Sequence, residues 1–457
     1  MATQAPAKSN NLSQLEQINR SDVFTKHTGS FAYPKGHHLL ERTNGLAEWI
    51  GKRAALGTWP YSRSLMTAPL PMTRLTAQNS STFEGINFGS QDYLGLSSHP
   101  AIHAAVIEAL TTYGPHAASS PMLLGNSELS KKLERSLSDF LQMENILLFP
   151  TGWSAGFGTI VGLVRPNDHI VIDQLAHACL MQGSRAATSK HWFYRHNDTE
   201  SVRKRLRSIR AKDTQNSILV VTEGIFSMDS DCPDLFTLQG ICREYDAVLL
   251  VDVAHDLGAS GPGGTGRLGL QKMLGEVDLV MGSFSKTFSS NGGFLASQSS
   301  SVKTFLSVYG GPHIFSNALS PIQVAVVDEA LQIVRSEEGE LLRKAAMSNI
   351  LRLRGALQER DIECLGEPSN VVPVTVGDET LAKWTSMFLE KNGLLSNLVE
   401  FPAVARGKAR FRFQVMASHT PDQVDKAAEL FCQSLAEAKQ MIGQQEPGHS
   451  KNLVQEI

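Results

Sequence analysis

Five short apolar runs constrain this chain more than anything else in it: ILLF (146–149), HIVI (169–172), ILVV (218–221), AVLLV (247–251) and DLVM (278–281). Each has the length of one strand and is rich in Ile, Val and Leu. Each is too continuous for a strand with one face in water, where polarity would alternate. A helical pattern stands before them, SELSKKLERSLSDFL, with Leu129, Leu133, Leu137, Phe140 and Leu141 on one face. Such runs alternating with helices predict an α/β fold: a mainly parallel central sheet covered by helices on both faces. Ligands of such sheets gather beyond the carboxyl ends of the strands.

Those ends carry polar residues. AVLLV runs into Asp252 and His255, DLVM into Ser283 and Lys286, ILVV into Ser227, and HIVI into His177. ILLF runs into PTGWSAG, a glycine-containing turn that opens a helix. Lys286, in GSFSKTFSSNGGF, stands out because lysine is ordinarily solvated and this one sits among Ser, Thr and Gly. Alone it reads as a loop cation, a phosphate ligand or a covalent anchor. An imine-forming lysine has to shed its charge, which desolvation favours. A buried carboxylate such as Asp252 suits a cationic ring nitrogen, and an imidazole such as His177 suits stacking on a flat ring. The N–H groups at a helix start suit a phosphate. Together these are the requirements of pyridoxal 5'-phosphate. The plainer readings are a helix cap for Asp252, a core position for His177 and turn roles for Ser227 and Ser283.

The rest of the chain bounds the setting. A length of 457 residues exceeds one simple core. The expected organisation is an N-terminal segment over 1–88 with residues 1–12 disordered, a large domain over 89–335, a smaller α+β C-terminal domain over 336–442, and a flexible tail over 443–457. The smaller domain combines the helix EGELLRKAAMSNILRLRGAL, the strand-like VVPVTV (371–376) and the alternating ARFRFQVM (409–416). Its closing helix is announced by Thr420, Pro421 and Gln423. A net charge of -3 argues against nucleic-acid binding. No apolar run reaches the length of a membrane span, and MATQAPAKSNNLSQLEQ lacks the apolar core of a secretory signal. Five scattered cysteines, with no zinc-ligand spacing, read as free thiols of a cytoplasmic protein. The pair His37 and His38 has no partner at metal spacing, so no metal is expected.

Nine motifs in order then carry a resemblance from about Asn87 to Thr420: SQDYLGLSSHP, FPTGWSAGFGTI, DQLAHACL, HNDTESV, TEGIFSMDSDCPDL, VDVAHDLGASGPGG, GSFSKTFSSNGGF, FSNALSP and ARFRFQVMASHT. On these the chain resembles the α-oxoamine synthase family of fold-type I pyridoxal-phosphate transferases. WPYSRSL (59–65) and SKTFSSNGGF lean toward its serine-palmitoyltransferase-like branch. The resemblance implies that Lys286 holds the cofactor as a Schiff base and moves the α-proton. It implies that Asp252 pairs with the pyridine nitrogen, that His177 stacks on the ring, and that His255 and Ser227 lie near its phenolic oxygen. Gly152, Trp153 and Ser283 would bind the phosphate. Ser316 and Asn317 would reach the phosphate of a neighbouring subunit, implying a homodimer with shared sites. Arg410 would take the amino-acid carboxylate, with Arg412 the runner-up on the same strand face. Gln91 stands where the family usually has Asn, and would touch substrate.

The implied activity is a decarboxylating condensation of serine, alanine or glycine with an acyl thioester of coenzyme A or an acyl-carrier protein, giving an α-amino ketone. Another fold-type I reaction, aminotransferase or aldolase, is the nearest rival, and a non-catalytic partner subunit a more distant one.

Overall fold

The computed structural model describes residues 21–77 and 80–443. The disorder expected of residues 1–12 and the tail over 444–457 lie outside the described residues. After the helix Asn44–Ala55 come strands β1 (Ser64–Leu65), β2 (Met72–Thr76) and β3 (Thr82–Asn87). The central sheet follows, from β4 (Asn145–Phe149), β5 (His169–Asp173), β6 (His191–Tyr194), β7 (Ile218–Glu223), β8 (Val248–Asp252), β9 (Leu279–Ser283) and β10 (Gly293–Ser297). Its order is β4-β10-β9-β8-β7-β5-β6. β10 runs antiparallel to both neighbours, and the other ladders are parallel. The five apolar runs are thus five of these strands, while β6 and β10 were not foreseen.

Alternate residues of each strand enter different cores, which is why the runs are apolar throughout. Leu148, Val171, Val220, Val251 and Val280 pack on one side. Phe149, Ile170, Val221, Leu250 and Met281 pack on the other. Complete burial of each such side chain contributes roughly 1.5–3 kcal/mol. The expected helix spans Glu128–Leu141 and buries Leu133, Leu137, Phe140 and Leu141, with Ser127 as its N-cap.

The C-terminal sheet holds β11 (Val371–Gly377), β13 (Asn397–Val399) and β14 (Ala409–Gln414), in the order β11-β14-β13. A short strand, β12 (Leu394–Leu395), pairs in parallel with β3, so the N-terminal strands join the C-terminal part. Phe24, Ile86 and Phe88 share one core with Phe411, Phe413 and Phe431. These N-terminal residues therefore pack into the C-terminal core. Arg53 fastens the same seam: fully buried, it pairs with Glu400 at 2.7 Å and lies 5.1 Å from the rings of both Trp49 and Trp59. Lys383, also buried, donates to the Phe24 carbonyl at 2.6 Å. The helix Pro321–Arg335 stops at Ser336, which caps Glu337–Gln358. Among the described residues no helix is long and apolar enough to cross a membrane.

Candidate active site

The carboxyl ends of β4, β7, β8 and β9 open on a cavity of about 320 Å³, lined by Trp153, His177, Glu223, Asp252, His255 and Lys286 among others. A second cavity of about 640 Å³ shares Ser285, Lys286 and Asn291 with it and adds Gln91. Lys286 stands where the two meet.

The phosphate end comes from one close approach. The helix Gly152–Leu163 starts with a capping box between Thr151 and Ser154, which leaves its first N–H groups, those of Gly152 and Trp153, without helical acceptors. A Cβ on Gly152 would lie 2.3 Å from Ser283 Cβ, so only glycine lets this helix end meet β9. On the next strand a Cβ on Gly293 would lie 2.7 Å from Gly152 Cα. Ser283 and Ser285 hydroxyls, 2.8 Å apart, face this turn.

The other end is a charge cluster. Asp252 closes β8, is buried, and accepts the Ala254 N–H at 2.9 Å. Burial raises its carboxyl above the usual range, opposed by His177 and Lys286. Glu223, opposite Asp252 on β7, is buried too and is pushed well up by burial and by the Asp252 charge. It accepts the His177 N–H at 2.5 Å. Burial lowers the Lys286 ammonium, with Asp252 and Glu223 resisting. The lysine loop is itself moored, since Ser289 donates to Asp92 at 2.8 Å and Ser290 to the Gln323 carbonyl at 3.1 Å.

His177 caps the helix Ala178–Ala187, its Nδ1 accepting the Cys179 N–H at 3.3 Å. Burial lowers its pKa, which favours the neutral ring. The ligand atoms of His177, Cys179 and Asp252 lie within 4.8 Å of one another. A metal there would need the thiolate, and burial pushes the Cys179 thiol up. His255 is held neutral by burial, with the Tyr93 hydroxyl 2.9 Å from its Nδ1. The same hydroxyl lies 3.3 Å from Gln414 Oε1.

Of the expected residues, the structure brings Lys286, Asp252, His177, His255, Ser283, Gly152 and Trp153 around one cavity and Gln91 into the adjoining one. Ser227 is not among the residues lining this cavity, and its carbonyl accepts from Arg412 at 3.3 Å. Arg410 departs from its expected role. Its guanidinium is committed to Asp229 and to the Met228 carbonyl at 3.0 Å, which leaves it no fork for a substrate. Arg412 is the freer one: its Nε is buried with no hydrogen-bond partner, and its charge acts on Lys286, His255 and His177. Ser316 and Asn317 stand away from this cavity, beside exposed Phe315.

Sequence reasoning missed Glu223, Tyr93 and Ser285. Glu223 closes β7 in TEGIFSMDSDCPDL, where the buried strand end was the available signal, and Tyr93 lies in the turn after β3 in SQDYLGLSSHP.

The residues present fit pyridoxal phosphate: an amine of lowered pKa, a buried carboxylate across the cavity, an imidazole on its wall, and a helix start with two hydroxyls. The family model described as Aminotransferase class I and II matches residues 84–431. The chain is 35% identical to the serine palmitoyltransferase of Sphingobacterium spiritivorum over 342 residues, 75% of this chain and 84% of that protein. It is 32% identical to the 8-amino-7-oxononanoate synthase of Thermoanaerobacter pseudethanolicus over 348 residues, 76% of this chain and 87% of that one. Among solved structures, a variant serine palmitoyltransferase from S. paucimobilis with a bound PLP–myriocin aldimine superposes with a TM-score of 0.81 at 28% identity, covering 89% of this chain and 100% of that chain.

Proposed function

The chain belongs to the class I and II aminotransferase family, in its α-oxoamine synthase group, and from that premise we propose that it condenses a small amino acid with an acyl thioester, with loss of CO2, to an α-amino ketone. The observation that carries this is the meeting of Lys286, Asp252, His177 and the Gly152 turn around one cavity, with the Arg412 charge acting on Lys286 from outside its lining. The similarity to serine palmitoyltransferases favours serine as the amino acid and a long acyl chain on the thioester.

Bound pyridoxal phosphate supplies a carbonyl for the substrate amine and an electron sink for the α-carbon. The protein does the rest. Asp252 holds a proton on the ring nitrogen, which keeps the sink effective. Gly152 and Trp153 N–H groups with the Ser283 and Ser285 hydroxyls hold the phosphate. Lys286 Nζ, its ammonium destabilised by burial, becomes the amine that anchors the cofactor and the base that takes the α-proton. His177, on the cavity wall, would flank the ring. Arg412 offers its planar fork to the amino-acid carboxylate, and His255 faces the incoming acyl group.

The partner reading follows the same surface. Phe315, Leu123 and Leu124 are 87%, 74% and 89% exposed, and their loops are tied where Ala318 N–H donates to the Ser119 carbonyl at 2.9 Å. We read this apolar ridge, with Ser316 and Asn317 on it, as the contact of a homodimer with shared sites. Replacing Phe315 and Leu124 together by Asp is expected to give monomers by sedimentation; an unchanged dimer rejects the ridge as the contact. Five unpaired cysteines support a reducing compartment such as the cytoplasm.

The test crosses glycine, alanine and serine with acyl-CoA and acyl-carrier thioesters of several lengths and measures thiol release. Release that depends on both substrates, and vanishes in Lys286→Ala, is expected. Consumption of the amino acid at the same rate without thioester points to the aminotransferase or aldolase rival. A protein that gains no visible absorbance with pyridoxal phosphate would be the non-catalytic subunit.

A further inference from the structure

HNDTESV takes no part in the site above, yet its first residue is clamped. His196 lies between two carboxylates, Nδ1 2.9 Å from Asp173 Oδ1 and Nε2 2.8 Å from Asp231 Oδ2. Two ring nitrogens facing two carboxylates require the imidazolium, because a neutral ring has one N–H. Burial alone would lower this pKa, but the bonds to Asp173 and Asp231 outweigh it and raise it to about 10.

The two carboxylates belong to different parts. Asp173 is buried at the end of β5 and also accepts the Asn197 N–H at 3.0 Å and the Leu175 N–H at 2.9 Å. Asp231 closes the loop after β7, where Phe226 N–H donates to the Asp231 carbonyl at 2.9 Å. The Phe226 ring stands edge-on to the imidazole at 4.5 Å. One cation therefore pins both ends of the 226–231 loop to the sheet. This is the loop that receives the β14 arginines: Ser227 O takes Arg412, and Met228 O and Asp229 take Arg410.

We infer that His196 is a positioning residue: by linking Asp173 to Asp231 it fixes the 226–231 loop, and through that loop sets where the Arg412 guanidinium points. The inference rests on the reading of Arg412 as the carboxylate ligand. His196 acts two contacts away from substrate.

Removing His196 would leave Asp173 buried and unpaired, which endangers folding. Asp231 is the better target, its side chain being 31% exposed. The protein loaded with pyridoxal phosphate is titrated with serine and with serinamide, following the visible absorbance of the bound cofactor, and amide hydrogen exchange is measured on the same proteins. The parent is expected to prefer serine by about tenfold or more, the worth of a charge-assisted pair. In Asp231→Ala that preference is expected to fall to about threefold or less, with faster exchange over 226–231 and unchanged exchange in β5 and β7. Asp231→Asn, which keeps an acceptor for Nε2, is expected to restore most of the preference. A preference that survives Asp231→Ala, or a parallel loss for both ligands, overturns the latch alone. A parent without preference overturns the Arg412 reading, and the latch with it.

Discussion

A guanidinium can take a substrate carboxylate only if no other anion has already claimed it, and on that ground Arg410 and Arg412 part company. They are two residues apart on one strand, so parity places both on the same face. Only the fold shows that Asp229 lies against the first. Arg412→Gln is expected to raise the KM for the amino acid roughly tenfold to a hundredfold, the cost of a charged hydrogen bond, with the thioester KM little changed. Arg410→Gln should raise it less, and equal effects in steady-state kinetics would count against the assignment. His196 gives a pH signature at the same scale. Its folded pKa is raised to about 10 from an ordinary value near ~6.5, so its contribution to stability is complete below ~6.5 and is lost as pH climbs through about 10. The gap in urea midpoint between the parent and His196→Gln is therefore expected to narrow over that range. Asp173 and Asp231 are the charged groups facing the ring.

At the scale of elements, the cofactor cradle is a meeting of two backbones. A Cβ on Gly293 would lie 2.7 Å from both Gly152 Cα and Gly282 O. Gly293→Ala is expected to weaken pyridoxal phosphate binding, with overpacking of about 1–3 kcal/mol spent on shifting the helix start. Circular dichroism should stay unchanged; an unaltered cofactor titration would show that the approach has slack. Most elements were readable because each announced itself. The five apolar runs could only be buried strands, and Thr420–Gln423 is the capping box of the helix Pro421–Met441. β6 and β10 announced nothing. HWFY is a four-residue edge strand with Trp192 and Phe193 exposed, and GFLAS is strand only because β4 and β9 flank it. Within the site most residues at strand ends were legible, Glu223 at the end of β7 excepted. Tyr93 and Glu223 were not, since their roles come from His255 and His177, contacts no spacing predicts.

The whole molecule is held by a seam as well as by cores. Arg53→Ala would leave Glu400 buried with the Lys383 ammonium 3.7 Å away, and is expected to cost about 3 kcal/mol or more in denaturant unfolding. Loss of less than about 1 kcal/mol would mean that Lys383 replaces it. One consequence of the strand order concerns time. β4 has a single neighbour in its sheet, β10, made almost 150 residues later. During synthesis, at about 5–20 residues per second, β4 and the phosphate turn behind it wait without a ladder until Ser297 has left the ribosome. Nascent chains halted before β10 should then be cut by protease near Thr151 and those halted beyond it should resist, so the cradle is assembled in one late stroke instead of growing with the chain.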